Sequence, residues 1–237
     1  MLYCILLLTF TISEKFNLHL RSMNTDVMKY SIIMEQTPNP ETIKFITNHE
    51  LLPQGQVLEF ENKSFLDISP LAKALFAFPF VKEILIAGNY ISITKQPFIS
   101  WDDILLEVRD YIYEYLNSGK SIIDQELFEK HVVKNQPSSS AEEHQENAES
   151  IAVQHNIPQS EAEQKIIDIL NEYIMPAVSQ DGGFITFESY QDGVVYLKMR
   201  GACSGCPSSM YTLKAGVEAL LKKMLPDIVK EVKSENA

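Results

Sequence analysis

Cys203 and Cys206 are the residues whose type and spacing point most directly to chemistry. They sit in Met199-Arg200-Gly201-Ala202-Cys203-Ser204-Gly205-Cys206-Pro207-Ser208-Ser209, and Cys4 is the one other cysteine in 237 residues. Two thiolates spaced C-x-x-C can hold one side of a soft metal centre. Tetrahedral zinc and cubane iron–sulfur clusters both want about four protein ligands, so half of the shell must come from elsewhere. The same pair is compatible with a thiol–disulfide couple, with half a zinc site, or with a structural pair. A thioredoxin-like couple wants a βαβ context, whereas here a hairpin pattern precedes the motif. No histidine follows His155 to complete a zinc site. Spacing alone leaves the cluster, zinc, redox and structural readings open.

The residues around the pair have physical readings of their own. Gly201 and Gly205 allow positive φ and a close approach of backbone N–H groups to sulfur, a contact that tunes cluster potential. Pro207 suits a first helical position, and Ser208 and Ser209 are capping types. The loop is therefore expected to end at a helix N-terminus, where partial positive charge lowers a thiol pKa and favours an anionic cluster.

The elements that must position this loop are legible as patterns. Gln164–Val178 carries Ile166, Ile167, Leu170, Tyr173 and Ile174 at helical spacing, with Pro176 expected to end or kink the helix. Phe184–Tyr190 and Val194–Arg200 read as strands joined by Gln191-Asp192-Gly193. A helix follows over about Ser208–Leu225, and Asp227–Val232 reads as a short third strand. The result is αββα(β).

Upstream, Thr42–Thr47 and Gln56–Glu61 alternate as strands, and Asp67 or Ser69 can cap a helix with Pro70 in its first turn. Val81–Ile86 and Tyr90–Thr94 form a hairpin pattern, and Ser100 opens a helix that Gly119 stops. This order is ββαββα. The whole is an α+β chain of two small two-layer domains joined by an acidic flexible linker. The expected divisions are an N-terminal extension (1–27), a first domain (28–120), a linker with a short helix (121–163) and a second domain (164–237). From Asn135 to Glu163 there are glutamates but no lysine or arginine, too little apolar surface to offset ordering entropy.

Composition narrows the function classes. A net charge of −12 excludes a nucleic-acid binder that needs a basic face. The odd cysteine count favours a reducing interior over a disulfide scaffold. The apolar run Met1–Leu8 is too short to span a membrane. It also lacks the basic n-region and cleavage site of a signal peptide, and the Arg-rich look of a transit peptide. Residues 1–27 are read as an extension from a misassigned start codon, with a degenerate export or anchor segment as the alternative, and the compartment expected is the cytoplasm. The five histidines (19, 49, 131, 144 and 155) are scattered and share no motif with a nucleophile. No catalytic set emerges.

At this point the residues carry a likeness. Asp181-Gly182-Gly183, Asp192–Lys198, Gly201–Ser209 and Thr212–Glu218 closely resemble the C-terminal NifU-type domain of Nfu proteins. Gln36-Thr37-Pro38-Asn39-Pro40-Glu41-Thr42-Ile43-Lys44-Phe45, Val81–Ile84 and Tyr90–Lys95 resemble the Nfu N domain. The resemblance implies a non-catalytic iron–sulfur scaffold or carrier. By that likeness two chains, each giving Cys203 and Cys206, would share one [4Fe–4S] cluster per homodimer, with [2Fe–2S] as the alternative. The partners implied are an upstream cluster donor and apo iron–sulfur client proteins, without nucleic acid or membrane. A thiol–disulfide oxidoreductase using Cys203 and Cys206, and a zinc-bridged structural dimer, stand as the alternatives. The chain departs from the family pattern at Met175-Pro176, where Arg-Pro is common, and at Phe184, where an acidic residue is frequent. Neither position supplies a ligand in that pattern.

Overall fold

The computed structural model describes residues 29–234 except 54, 62–65, 135–151, 154–157, 205 and 206. The expected extension 1–27 and residues 135–151 and 154–157 of the expected linker lie outside the described residues.

The first unit is built on a six-stranded sheet. Its strands are β1 (Ile32–Gln36), β2 (Thr42–Thr47), β3 (Val57–Phe60), β4 (Val81–Ala87), β5 (Tyr90–Lys95) and β6 (Ala152–Val153), in the order β1-β2-β5-β4-β3-β6. All neighbours are antiparallel. Two strands go beyond the pattern reading. β1, with the sequence Ile-Ile-Met-Glu-Gln, is a half-exposed edge strand whose apolar and polar residues do not alternate cleanly. β6 comes from the stretch read as linker and pairs Val153 with Val57 and Ala152 with Leu58.

Alternate residues of each strand point to the helical layer. Ile43, Phe45, Leu58, Phe60, Ile84, Ile86, Ile91 and Ile93 pack there against α1 (Pro70–Leu75), α2 (Trp101–Asn117) and Phe128 of α3 (Gln125–Lys134). Ser69 caps α1, its Oγ accepting from the Ala72 N–H and donating to the Ile122 carbonyl at 2.7 Å. Ser100 caps α2, its Oγ accepting from the Asp102 N–H at 3.3 Å. Trp101, Phe76 and Phe80 are buried in this core.

The second unit opens with α4 (Glu161–Ile169), capped by Ser160. The chain then widens into a single π-type turn over Leu170–Ile174, where the Met175 N–H reaches back to the Leu170 carbonyl, and continues as α5 (Met175–Gln180). Pro176 was expected to end or kink the helix. It sits instead in the first turn of α5, directly after the widened turn, and the helix runs on past it. β7 (Gly183–Gln191) and β8 (Val194–Gly201) form the expected hairpin, turning at Asp192 and Gly193 with φ of 52° and 92°. α6 (Pro207–Met224) leads to β9 (Glu231–Ser234), which joins β8 in parallel. Ile166, Leu170, Ile185, Phe187, Leu197, Met199, Val217 and Leu221 form this unit's core.

The two units are not independent. The large sheet's second face, which strand alternation would leave to water, is buried: Lys44, Glu59, Leu85, Tyr90 and Ser92 are all under 10% exposed. The ends of β7 and β8 cover it.

Candidate metal centre

Cys203 lies just beyond the end of β8, on the loop leading to α6. The local geometry follows from the glycines. Gly201, at φ 62°, turns the chain out of β8, and the Ser204 N–H and Oγ both donate to the Gly201 carbonyl, closing the turn. The Cys203 thiol folds back onto β7. A Cβ at Gly183 would lie 2.2 Å from Cys203 Sγ, so Gly183 makes room for the sulfur. Cys203 is only 5% exposed and packs into the second unit's core.

That packing reverses one expectation. α6 does begin at Pro207, as predicted. The Cys203 thiol is nevertheless not lowered. Burial pushes it up to about 12, and the nearby Asp181 carboxylate pushes in the same direction. Removing a thiolate from water outweighs the weak positive field of a helix end several residues away. Cys206 lies outside the described residues. Asp181 donates its N–H to the Ala177 carbonyl and also lines a cavity of about 570 Å³ beside Cys203. Ile174, Ala202, Leu213 and Val217 share that lining, as does Pro38 of the first unit. Among the described residues, no group of three or more His, Cys, Asp or Glu is gathered for a metal ion.

The sheet of the first unit grips both strand ends around this loop. Arg200 Nη1 donates to Glu59 Oε2 at 2.6 Å, and the Gly201 N–H donates to Glu59 Oε1 at 2.8 Å. On the β7 side, Ser92 Oγ donates to the Gly182 carbonyl at 2.6 Å and Tyr90 Oη to the Gly183 carbonyl at 2.7 Å. Lys44 Nζ donates to the Gln180 carbonyl at 3.3 Å and lies 4.9 Å from the Tyr90 ring centre. Burial lowers the Lys44 pKa, partly countered by the Glu35 and Asp181 carboxylates. Burial raises that of Glu59, against the pull of Arg200 and the Gly201 N–H. Val57, Leu85, Ala87, Tyr90 and Phe184 form an apolar patch beside these bonds, with Met175 packed on it. The two departures noted in the sequence, Met175 and Phe184, therefore both fall where the units meet.

Glu59, Arg200, Lys44 and Ser92 were not identified from the sequence. They occupy ordinary polar positions of alternating strands, and nothing local marks them as partners. Gly183 was visible only as part of the Asp181-Gly182-Gly183 likeness.

Two family models match the chain: "Scaffold protein Nfu/NifU N terminal" over residues 32–119 and "NifU-like domain" over residues 166–233. A "NFU1 iron-sulfur cluster scaffold homolog, mitochondrial" of Drosophila persimilis is 32% identical over 210 residues, covering 88% of this chain and 67% of the relative.

The chain belongs to the Nfu/NifU scaffold family.

The family relative of the same description from Drosophila sechellia is 34% identical over 194 residues, covering 82% of this chain and 61% of the relative. The chain thus spans about three-fifths of the length of that relative. A solution structure of a NifU-like protein from Saccharomyces cerevisiae is similar to part of the chain, at 24% identity and a TM-score of 0.36, over 44% of this chain and 91% of that one. The Nfu-type pairing of an N-terminal sheet unit with a NifU-like unit is present here in that order. Cys203 belongs to the NifU-like match. Among the described residues no helix is long and apolar enough to cross a membrane.

Proposed function

We propose that this chain is a non-catalytic carrier of an iron–sulfur cluster, held as cargo between two copies through Cys203 and Cys206 of each and passed on to apo-proteins. The observation that carries this reading is the position of Cys203, at the exit of the β7–β8 hairpin of a NifU-like unit. The names of the relatives, iron–sulfur cluster scaffold homologues, point the same way. The donor set fits: thiolates are the usual ligands of [4Fe–4S] and [2Fe–2S] clusters. Two per chain make four per homodimer, and a [4Fe–4S] core is the cargo this count suits best. Transfer is a ligand exchange without net redox change. Each incoming client thiol gives up a proton as a departing Cys203 or Cys206 sulfur takes one.

The division of labour proposed follows the boundaries read from the sequence. Residues 164–237 hold the cluster, 121–163 link, and 28–120 recruit a client or an upstream donor. The oxidoreductase alternative predicts reductase turnover on a disulfide substrate, which the carrier reading does not. The relatives are named mitochondrial, whereas the compartment expected from the sequence is the cytoplasm. Imaging the tagged natural protein distinguishes the two.

Anaerobic reconstitution with iron and sulfide tests the proposal. Iron and sulfide near two per chain, with a native mass of two chains, is the expected result. A colourless monomer, a zinc-filled dimer, or a cluster that persists in the Cys203→Ser/Cys206→Ser double variant would overturn it.

A further inference from the structure

The first unit does more than lie beside the cysteine loop. Four of its side chains reach across one sheet face to groups on the segments that flank Cys203: the end of α5, the start of β7 and the end of β8. Glu59 takes the Arg200 guanidinium and the Gly201 N–H. Ser92 and Tyr90 hold the carbonyls of Gly182 and Gly183, and Lys44 holds that of Gln180. These are the walls between which Cys203 Sγ is packed, because the sulfur lies against Gly183 and its loop springs from Gly201. The Gly182 carbonyl accepts from the Ala202 N–H as well as from Ser92, so one grip is shared by both sides of the thiol. Glu59 and Arg200 are both nearly wholly buried, so water does not compete for the pair. The patch of Val57, Leu85, Ala87, Tyr90 and Phe184 seals the contact.

We propose that this sheet face is a docking surface for the chain's own cysteine hairpin, a clamp that holds Cys203 in a closed, ligand-inaccessible state and must release before the sulfur can take a metal. The physical reason is steric. Cys203 Sγ packs against Gly183, which Tyr90 holds, and its loop starts at Gly201, which Glu59 holds, so the wall behind the sulfur and the near end of its loop are both fixed from the opposite unit. The Gly201 N–H, a donor adjacent to the loop, is committed to Glu59 while the clamp is shut. Release frees the N–H and the loop together. The consequence for loading rests on the carrier reading above; the closed state itself does not.

The test uses the full-length, metal-free, reduced chain, with iodoacetamide as the probe. Alkylation at Cys203 is read separately from Cys206 and Cys4 by fragmentation of the modified peptides, and hydrogen exchange is read at the Gly201 amide. Wild type is expected to alkylate slowly at Cys203 and to protect the Gly201 amide. Glu59→Gln removes the charge from the grip and is expected to speed alkylation of Cys203 and exchange at Gly201 by about tenfold or more, since both report local opening. Tyr90→Phe deletes one hydroxyl without changing shape. It is expected to give a smaller acceleration in the same direction, and it keeps the proposal testable if Glu59→Gln fails to fold. Unchanged alkylation in both variants overturns the clamp, as does a Gly201 amide in wild type that exchanges like an open loop. No iron enters this assay. A clamp that stands while reconstitution fails would sink only the carrier reading, and the reverse result only the clamp.

Discussion

Gly183 and Cys203 face each other so closely that a methyl group on the glycine would fall 2.2 Å from the cysteine sulfur. Gly183 is therefore a requirement of the thiol's resting position rather than of backbone conformation, since it is not among the glycines with positive φ. Gly183→Ala should destabilise the apo chain by about 1–3 kcal/mol through overpacking. The Gly183→Ala/Cys203→Ala double variant should recover part of that loss. The recovery is partial, because the Cys203 Cβ and the Arg200 carbonyl also lie within 3.1 Å of the added atom. Urea unfolding of the three proteins measures both effects.

The raised thiol makes stability depend on alkaline pH. Cys203 in the fold is pushed up to about 12, whereas a free cysteine titrates near ~8.5. The unfolded chain therefore gives up this proton first. The contribution of the neutral thiol is intact below about pH 8.5 and is lost as pH climbs towards the folded value. Relative to Cys203→Ala, wild type should lose about 1 kcal/mol per pH unit above roughly pH 9. Unfolding midpoints taken at pH 8, 9 and 10 follow the difference; parallel curves for the two proteins would contradict it.

Asp181 adds to the upward push on that thiol. Asp181→Asn should lower the Cys203 pKa and raise its neutral-pH reactivity towards a thiol reagent, without changing the reactivity of Cys203→Ala controls. The measurement is the pH profile of alkylation at Cys203. An unshifted profile would mean that burial alone sets the value.

The Glu59–Arg200 pair should behave as a buried ion pair. Glu59→Leu strands the Arg200 guanidinium and leaves the Gly201 N–H without its acceptor. A cost of about 3–5 kcal/mol is expected. Glu59→Leu/Arg200→Met should restore most of it, because replacing both charges removes two desolvation penalties together. A complete double-mutant cycle by chemical denaturation gives the coupling. Additive losses would show that the two residues do not depend on each other.

Ser69→Ala removes both the cap on α1 and the bond to the Ile122 carbonyl. About 1–2 kcal/mol should be lost, visible as a lower thermal midpoint with no effect on Cys203 alkylation.

Much of the architecture could be read along the chain because its causes are local. The Ser69 and Ser100 caps, the Asp192–Gly193 turn and the alternation in β2, β5, β7 and β8 each depend on a few neighbouring residues. β1 and β6 escaped notice because each owes its strand form to a partner. One is an edge strand without clean alternation; the other is two residues long and drawn from an acidic stretch. Pro176 misled because a π-type turn, which no single residue announces, absorbs it.

The pair of thiols, the glycines that shape their loop and the family likeness are properties of residue type and order, and the linear chain carried them in full. The burial of Lys44, Glu59 and Ser92, and the reversal of Cys203 from an expected lowered pKa to a raised one, belong to the folded molecule. Desolvation depends on what arrives from far away in the chain. Glu59 and Arg200 meet across 141 positions, and no local pattern records a meeting at that range.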